Sequence, residues 1–409
     1  MNRSLLRNLV IVFLVLFLCA PALLSYEYPK EGQDQDIGFY SPPRDVTTLP
    51  LSKKKKVKNI IYMIGDGMGV ATVDAARIRA AGAGGRLYME CMPIAGLVKT
   101  HSNSRLVTDS AAAGTALSTG VKTTNEFIGV NPEQVSYQTI LEGAQTLGKA
   151  VGIVATSSIT HATPASFASH LKTRKGETEI AEQLLKNKVN VLLGGGKQFF
   201  LPQSSQGSKR KDDRNLISEA QSAGYMVIET GDDLDKAKGA YVLGLFQMKE
   251  LTTFSPEPTL AELTLKAIDL LKTDKDGFFL MVEGSKIDWA NHDNNADYSI
   301  RQTLLFDQAV YVALDFAQEN TDTLVLVTAD HETGGMAINE GSLDGKDLDI
   351  RWTTKDHTGV QVPVYAFGPQ ALLFTGVQDN TQIPAKMARI LKIQPFPQRI
   401  KESPQANKK

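Results

Sequence analysis

Cysteine is nearly missing from this chain: Cys19 and Cys91 are the only two in 409 residues. If the segment bearing Cys19 is removed as a leader, no intrachain disulfide can form, and stability must come from packing and bound cations. Net charge is missing too. Lysine plus arginine number 44 against 45 acidic residues, a formal charge of -1, which excludes the broad basic field of a nucleic-acid binder. No repeat of fixed period occurs, so a solenoid or propeller is excluded. The glycines Gly194 to Gly196 lack the lysine and Ser/Thr spacing of a nucleotide-binding loop. Histidine is scarce, with six in all, so each one's setting is informative.

What is present is an ordinary globular composition, 42% hydrophobic and 22% charged, on a chain long enough for a large core. The N-terminus runs Arg3, Arg7, an apolar stretch from Leu9 to Leu18 and then small residues, the order of a secretory signal peptide. We read residues 1–25 as that signal, with cleavage after Ala22 or Ser25, and the protein as exported, periplasmic or secreted, without a stable membrane span in the mature form. An uncleaved anchor stays open, although the apolar run is short for a span. Lipidation at Cys19 is disfavoured by the bulky Leu18. Residues 26–56 read as an extended, proline-containing arm, 57–395 as the catalytic domain and 396–409 as a tail. The run Lys53 to Lys58 reads as a solvated strand entry, with contact to an acidic surface or a nuclear signal as the alternatives.

From residue 57 on, apolar β-rich runs alternate with helical patterns. This predicts an α/β fold with a central, mostly parallel sheet flanked by helices on both faces and small inserted cap or loop segments. Strands are expected at Asn59 to Gly65, Ala150 to Ser157, Val189 to Gly196, Phe278 to Gly284, Thr323 to Asp330 and Val362 to Gly368. Helices are expected at Thr259 to Thr273 and Tyr298 to Gln318, where apolar residues recur at three and four. The polar, turn-rich stretch Leu201 to Asn215 reads as a surface loop or the start of an inserted cap, so that a polar insert covers about 199–256.

Polar residues collect at the ends of these strands, where open parallel sheets bind ligands. Asp66 sits between glycines in "GDGMG". Glu283 ends a strand, with Asp288 and His292 four apart on one helical face. Asp330 and His331 are adjacent at another strand end, and His357 precedes the last strand. Imidazole with carboxylate suits zinc, and carboxylate with hydroxyl suits magnesium. In "TDSAAAGTA", Asp109 or Ser110 is the expected cap of a helix whose N-terminus would also hold an anion at the Ser110 hydroxyl.

The ordered set "GDGMG", "TDSAAAGTA", "HATPASFASH", "EGSKID…H", "TADH" and "HTG", spanning roughly residues 57 to 370, resembles the alkaline phosphatase family. That resemblance implies a phosphomonoesterase with two zinc ions and one magnesium around a serine nucleophile. One zinc would take Asp288, His292 and His357, and the other Asp66, Asp330 and His331, with Ser110 as the reactive ligand. Magnesium would take Asp66, Thr163 and Glu283. Arg174 would grip the phosphate and Asp109 would orient Arg174, while the small residues after Ser110 would keep the phosphate pocket open. His161 and Trp289 stand in the second layer, where well-known bacterial members carry aspartate and lysine. His101 and His170 match no ligand position. The interval from His331 to His357 is short where larger members place a crown subdomain that helps form their dimer, and a homodimer remains the expectation. The substrates implied are small phosphate monoesters, without nucleic-acid-specific binding. Two competitors stay open: a sulfatase or phosphodiesterase on the same scaffold, although "SAAAG" lacks the Cys/Ser-x-Pro-x-Arg context of a sulfatase, and an exported phosphate-binding protein without turnover.

Overall fold

The computed structural model describes residues 36–44 and 47–400, so the expected signal segment and the last nine residues lie outside the described residues. The central strands form where β-branched and large apolar residues run uninterrupted. These are β1 (Asn59–Gly65), β3 (Ala150–Ser158), β7 (Phe278–Gly284) and β8 (Thr323–Thr328), each buried along its whole length. Continuous apolar runs of this kind need cover on both faces. Alternate side chains show that cover: Phe278 meets Phe316 of the helix Ala296–Glu319 at 5.7 Å between ring centres, while its neighbour Phe279 meets Phe167 at 6.4 Å.

The sheet has ten strands, completed by β2 (Ile94–Lys99), β4 (Val191–Gly195), β5 (Met226–Ile228), β6 (Val242–Leu245), β13 (Val362–Phe367) and β14 (Gly376–Asp379), in the order β14-β2-β13-β8-β1-β7-β3-β4-β6-β5. All neighbours are parallel except at β13, which runs against both β2 and β8. All six strands expected from the sequence are present within a residue or two. The stretch 199–256, read as a polar insert, does begin with turns. It also contributes β5 and β6 to the sheet edge, together with the helices Leu216–Ser222 and Gly231–Lys236.

Two of the four remaining strands, β10 (Ala337–Gly341) and β11 (Leu348–Arg351), pair as a hairpin that occupies the interval after His331. The other two, β9 (Glu332–Thr333) and β12 (His357–Thr358), pair antiparallel with His357 opposite Thr333, which returns His357 to the neighbourhood of His331. The arm is tied to the core by the Tyr40 hydroxyl, which donates to Asp307 at 2.6 Å. The lysines from 53 to 56 are exposed, and the chain enters β1 behind them. Residues 396–400 are not free either: Ile400 donates its amide to Ser136. No helix of the described residues is long and apolar enough to cross a membrane.

The register places the chemistry. Ile64 of β1 pairs with both Glu283 of β7 and Thr328 of β8, and Glu283 also pairs with Ala155 of β3. Asp66 and Asp330 therefore each follow two residues beyond level partners, and four adjacent strands deliver their polar ends to one rim.

Candidate active site

Ser110 begins the helix Ser110–Thr119. The cap is Asp109, whose Oδ1 accepts from the Ala112 amide at 3.0 Å. With capping done by its neighbour, the Ser110 hydroxyl is free to face the rim, where it lies 3.2 Å from His331 Nε2. The small residues behind it also serve close packing. Ala111 to Ala113 are fully buried, and a Cβ on Gly114 would fall 2.9 Å from Ser166 Oγ and 3.4 Å from Thr163 Cα. They let the helix press against the turn that carries Thr163.

Hydrogen bonds fix which ring nitrogens face inward. His357 Nδ1 meets the Thr108 carbonyl at 2.9 Å, and His292 Nδ1 meets the Lys355 carbonyl. A carbonyl only accepts, so both Nδ1 atoms carry hydrogen and the Nε2 lone pairs point inward. Those two Nε2 atoms are 3.1 Å apart and lie 3.4 Å (His292) and 3.5 Å (His357) from oxygens of Asp288. Three acceptors thus converge on one point, an arrangement that calls for a cation or a proton between them. His331 is set in the same way. Its Nδ1 contacts Thr333 Oγ1 at 3.2 Å, and that hydroxyl donates to Asp288, so Nε2 faces Asp330 at 3.1 Å and Asp66 at 3.5 Å.

A third group lies on the other side of Asp66. A nitrogen of His161 and oxygens of Asp66 and Glu283 all lie within 4.8 Å of one another, as do atoms of Asp66, Asp330 and His331 and of Asp288, His331 and His357. Both oxygens of Asp66, Oε1 of Glu283 and the Thr163 hydroxyl are buried with no hydrogen-bond partner among the described residues. Buried polar atoms are almost always paired, so this set of hard oxygen donors fits a divalent cation. His161 was expected only in a supporting position; a nitrogen of its ring lies near this group, but its Nε2 lone pair accepts from Arg174 Nη2 at 3.0 Å, so the neutral ring supports the arginine and leaves the cation to the oxygens. Arg174 Nη1 lies 3.3 Å from Asp109, and Trp289 stands edge-on to His161 with 6.0 Å between ring centres.

The protein groups alone hold protons where cations would fit. Burial, reinforced by Asp330, Asp288 and Glu283, pushes the Asp66 carboxyl well above the usual carboxylate range. Burial likewise pushes Glu283 up to about 7, against the pull of the Ser285 hydroxyl. Burial lowers the pKa of His292, but Asp288 overcomes it and brings it to about 9. His357 is pushed down to about 4 by burial and by His331.

The expected ligand candidates gather on this rim, and what orients them lies outside that set. The orienting partners are Thr333, the carbonyls of Thr108 and Lys355, and the hydroxyls of Ser157 and Ser285, which donate to Glu283 Oε2 at 3.2 and 2.6 Å; Thr108 and Ser285 lie within the motifs quoted above without being marked there as orienting groups. His101 and His170 lie elsewhere, His170 against Glu142 at 3.0 Å and His101 near Asp379.

Fold and site together define the class of metal-assisted hydrolytic enzymes that present a serine at a helix N-terminus beside clustered carboxylates and imidazoles. The family described as alkaline phosphatase matches over residues 57–348 and 344–393. Alkaline phosphatase 3 of Bacillus subtilis is 37% identical over 421 residues, covering 82% of this chain and 89% of its own. The alkaline phosphatase of Escherichia coli is 34% identical, covering 80% and 85%. The solved structure of the alkaline phosphatase from the Antarctic bacterium TAB5 superposes with a TM-score of 0.76 at 33% identity, over 83% of this chain and 99% of that one. Two variants of the TAB5 enzyme, with a histidine replaced by aspartate or glutamate, hold magnesium in what is termed the M3 site. The chain belongs to the alkaline phosphatase family and is a phosphoric monoester hydrolase.

Proposed function

We propose that the chain hydrolyses phosphate monoesters through a phosphoseryl intermediate at Ser110, with two zinc ions and one magnesium as resident cations. The observation that carries the reading is the Ser110 hydroxyl beside His331, at the mouth of converging acceptors that divalent cations would reconcile. Asp288, His292 and His357 would hold one zinc, Asp66, Asp330 and His331 the other, and Asp66, Thr163 and Glu283 the magnesium. Bound there, divalent cations supply Lewis acidity that favours the serine alkoxide and offsets charge on the departing alkoxide and the phosphoryl oxygens.

The chain's own residues do the rest. Ser110 Oγ attacks phosphorus in line, its bond to phosphorus forming as the ester P–O bond breaks, and the alcohol leaves with the proton the serine gave up. Water then attacks the phosphoseryl group from the vacated side and releases inorganic phosphate and free Ser110. The first amides of the helix Ser110–Thr119 aim partial positive charge at the phosphoryl oxygens. Arg174, held by Asp109 and His161, offers its fork to two equatorial oxygens. We further propose that the protein is exported, as the leader pattern suggests, and works as a homodimer. The test is turnover of an aryl phosphate by the purified, metal-analysed protein, with acid-quenched labelling of Ser110 by phosphate. A protein that binds phosphate without turnover or labelling is a binding protein, and the reading fails.

Two variants separate binding from chemistry. Arg174→Ala raises KM and the phosphate inhibition constant more than it lowers kcat, because the fork is engaged in ground and transition states alike. A fixed KM with collapsed kcat would give Arg174 another job. Trp289 leaves the phosphate side without the cation that a lysine there would provide, although the buried Lys286 ammonium lies 5.6 Å over its ring. Trp289→Lys therefore tightens phosphate inhibition by a factor of several, as a charge at effective dielectric about 20 would, and slows turnover by slowing product release. The combination with His161→Asp strengthens the effect. An unchanged inhibition constant in both variants leaves Trp289 as packing.

A further inference from the structure

One half-buried carboxylate joins the turn carrying His161 and Thr163 to the turn carrying Arg174. Glu177 opens the helix Glu177–Lys186 three residues after Arg174. Its Oε2 accepts from Ser158 Oγ at 2.6 Å and from Thr160 Oγ1 at 2.7 Å, and the two hydroxyls are themselves 3.2 Å apart. Thr160 is fully buried and Ser158 nearly so. The backbone closes the same turn: His161 donates its amide to the Ser158 carbonyl at 2.9 Å, and Ile159 donates to Gly195 of β4 at 3.1 Å. Burial raises the pKa of Glu177 against the pull of the two hydroxyls and of the Arg174 guanidinium, whose charge is therefore within electrostatic reach.

We propose that Glu177 is a positioning residue for phosphate binding: by fixing Ser158 and Thr160 it aims the His161 ring that holds Arg174. The inference rests on the reading of Arg174 as the phosphate-gripping residue. Arg174 is a long, flexible side chain with two tethers, His161 and Asp109. A guanidinium can only donate, so His161 Nε2 must present its lone pair to Nη2, and a small rotation of the ring removes that tether. Two buried hydroxyls without their shared acceptor would find other partners and carry the turn with them. The consequence falls on the grip rather than on Ser110, which is positioned by a different helix.

The experiment uses the full-length, metal-loaded enzyme and inorganic phosphate as the probe, measured by calorimetric titration and by competitive inhibition, with the thermal midpoint alongside. Glu177→Ala weakens phosphate binding about tenfold, a factor worth 1.4 kcal/mol, while kcat changes much less. Glu177→Gln, whose amide oxygen still accepts from both hydroxyls, recovers most of the loss. In an Arg174→Ala background, Glu177→Ala adds no further loss, because the effect passes through Arg174. If the alanine variant fails to fold, Thr160→Val removes one of the two donors and reproduces part of the loss. A lowered thermal midpoint with phosphate affinity intact would reduce Glu177 to a structural tie and overturn the proposal, as would full additivity with Arg174→Ala. An Arg174→Ala enzyme that binds phosphate as tightly as the parent would instead remove the reading of Arg174, and this inference with it.

Discussion

Ser110→Ala abolishes phosphomonoester turnover, by a factor on the order of 10³ or more, while bound-metal content and the thermal midpoint stay close to the parent's. The size of the loss follows from what the proposed mechanism loses, the attacking oxygen itself, and among the described residues no other hydroxyl lies within hydrogen-bond distance of His331 Nε2. The retention of structure follows from local design. Asp109, not Ser110, caps the helix, so the substitution leaves the cap intact and puts a better helix former at the first position. The carboxylates and imidazoles of the three groups are untouched. Metal content by atomic emission, melting by circular dichroism and turnover of an aryl phosphate decide the matter together. Near-parental turnover would strip Ser110 of its role, and loss of both metal and activity would make it a ligand rather than a nucleophile.

The rim was legible in the sequence because parallel strands impose level ends. Once Ile64, Glu283 and Thr328 are recognised as strand residues, their alignment follows from pairing, and Asp66 and Asp330 fall side by side. His357 was legible as a candidate but its return was not, since the pairing of His357 with Thr333 depends on a hairpin whose strands carry little apolar pattern. The short strands escaped for a related reason. β5 has three residues and β6 reads "VLGL", too little for a period to show, and both are stabilised by neighbours in the sheet rather than by their own propensity. The orienting partners were invisible because most are backbone carbonyls or ordinary serines and threonines brought in from far along the chain. Thr108 and His357 lie 249 residues apart, and Ser157 and Glu283 lie 126 apart. No local spacing encodes such contacts.

Removal of the divalent cations by a chelator lowers the thermal midpoint by on the order of 10 °C or more, and the drop deepens as pH rises from 7 to 9.5. Ligands that bind only the folded chain stabilise it by mass action, about 4 kcal/mol for a site at a thousandfold excess over its dissociation constant. What remains after stripping is a core with Asp66, Glu283, Asp288 and Asp330 gathered on one rim, all four buried. Protons can take the place of cations there, but only at low enough pH. His292, raised by Asp288 from 6.5 to about 9, contributes stability that is fully present below pH 6.5 and is lost as pH rises through 9. Glu283, raised to about 7, is half protonated at the start of that interval and gives up the rest of its proton, and its contribution, early in it. The stripped chain therefore weakens across pH 7 to 9.5, while the loaded chain, whose ligands are deprotonated by the metals in any case, binds them more tightly as pH rises. The two trends widen the gap in the same direction. Melting curves of chelated and reconstituted protein at pH 7 and 9.5, with residual metal quantified in each sample, test this directly. A midpoint unmoved by complete stripping would mean that the acidic rim is balanced by protein groups alone, and a gap that narrows with pH would show that His292 does not hold the proton its surroundings favour.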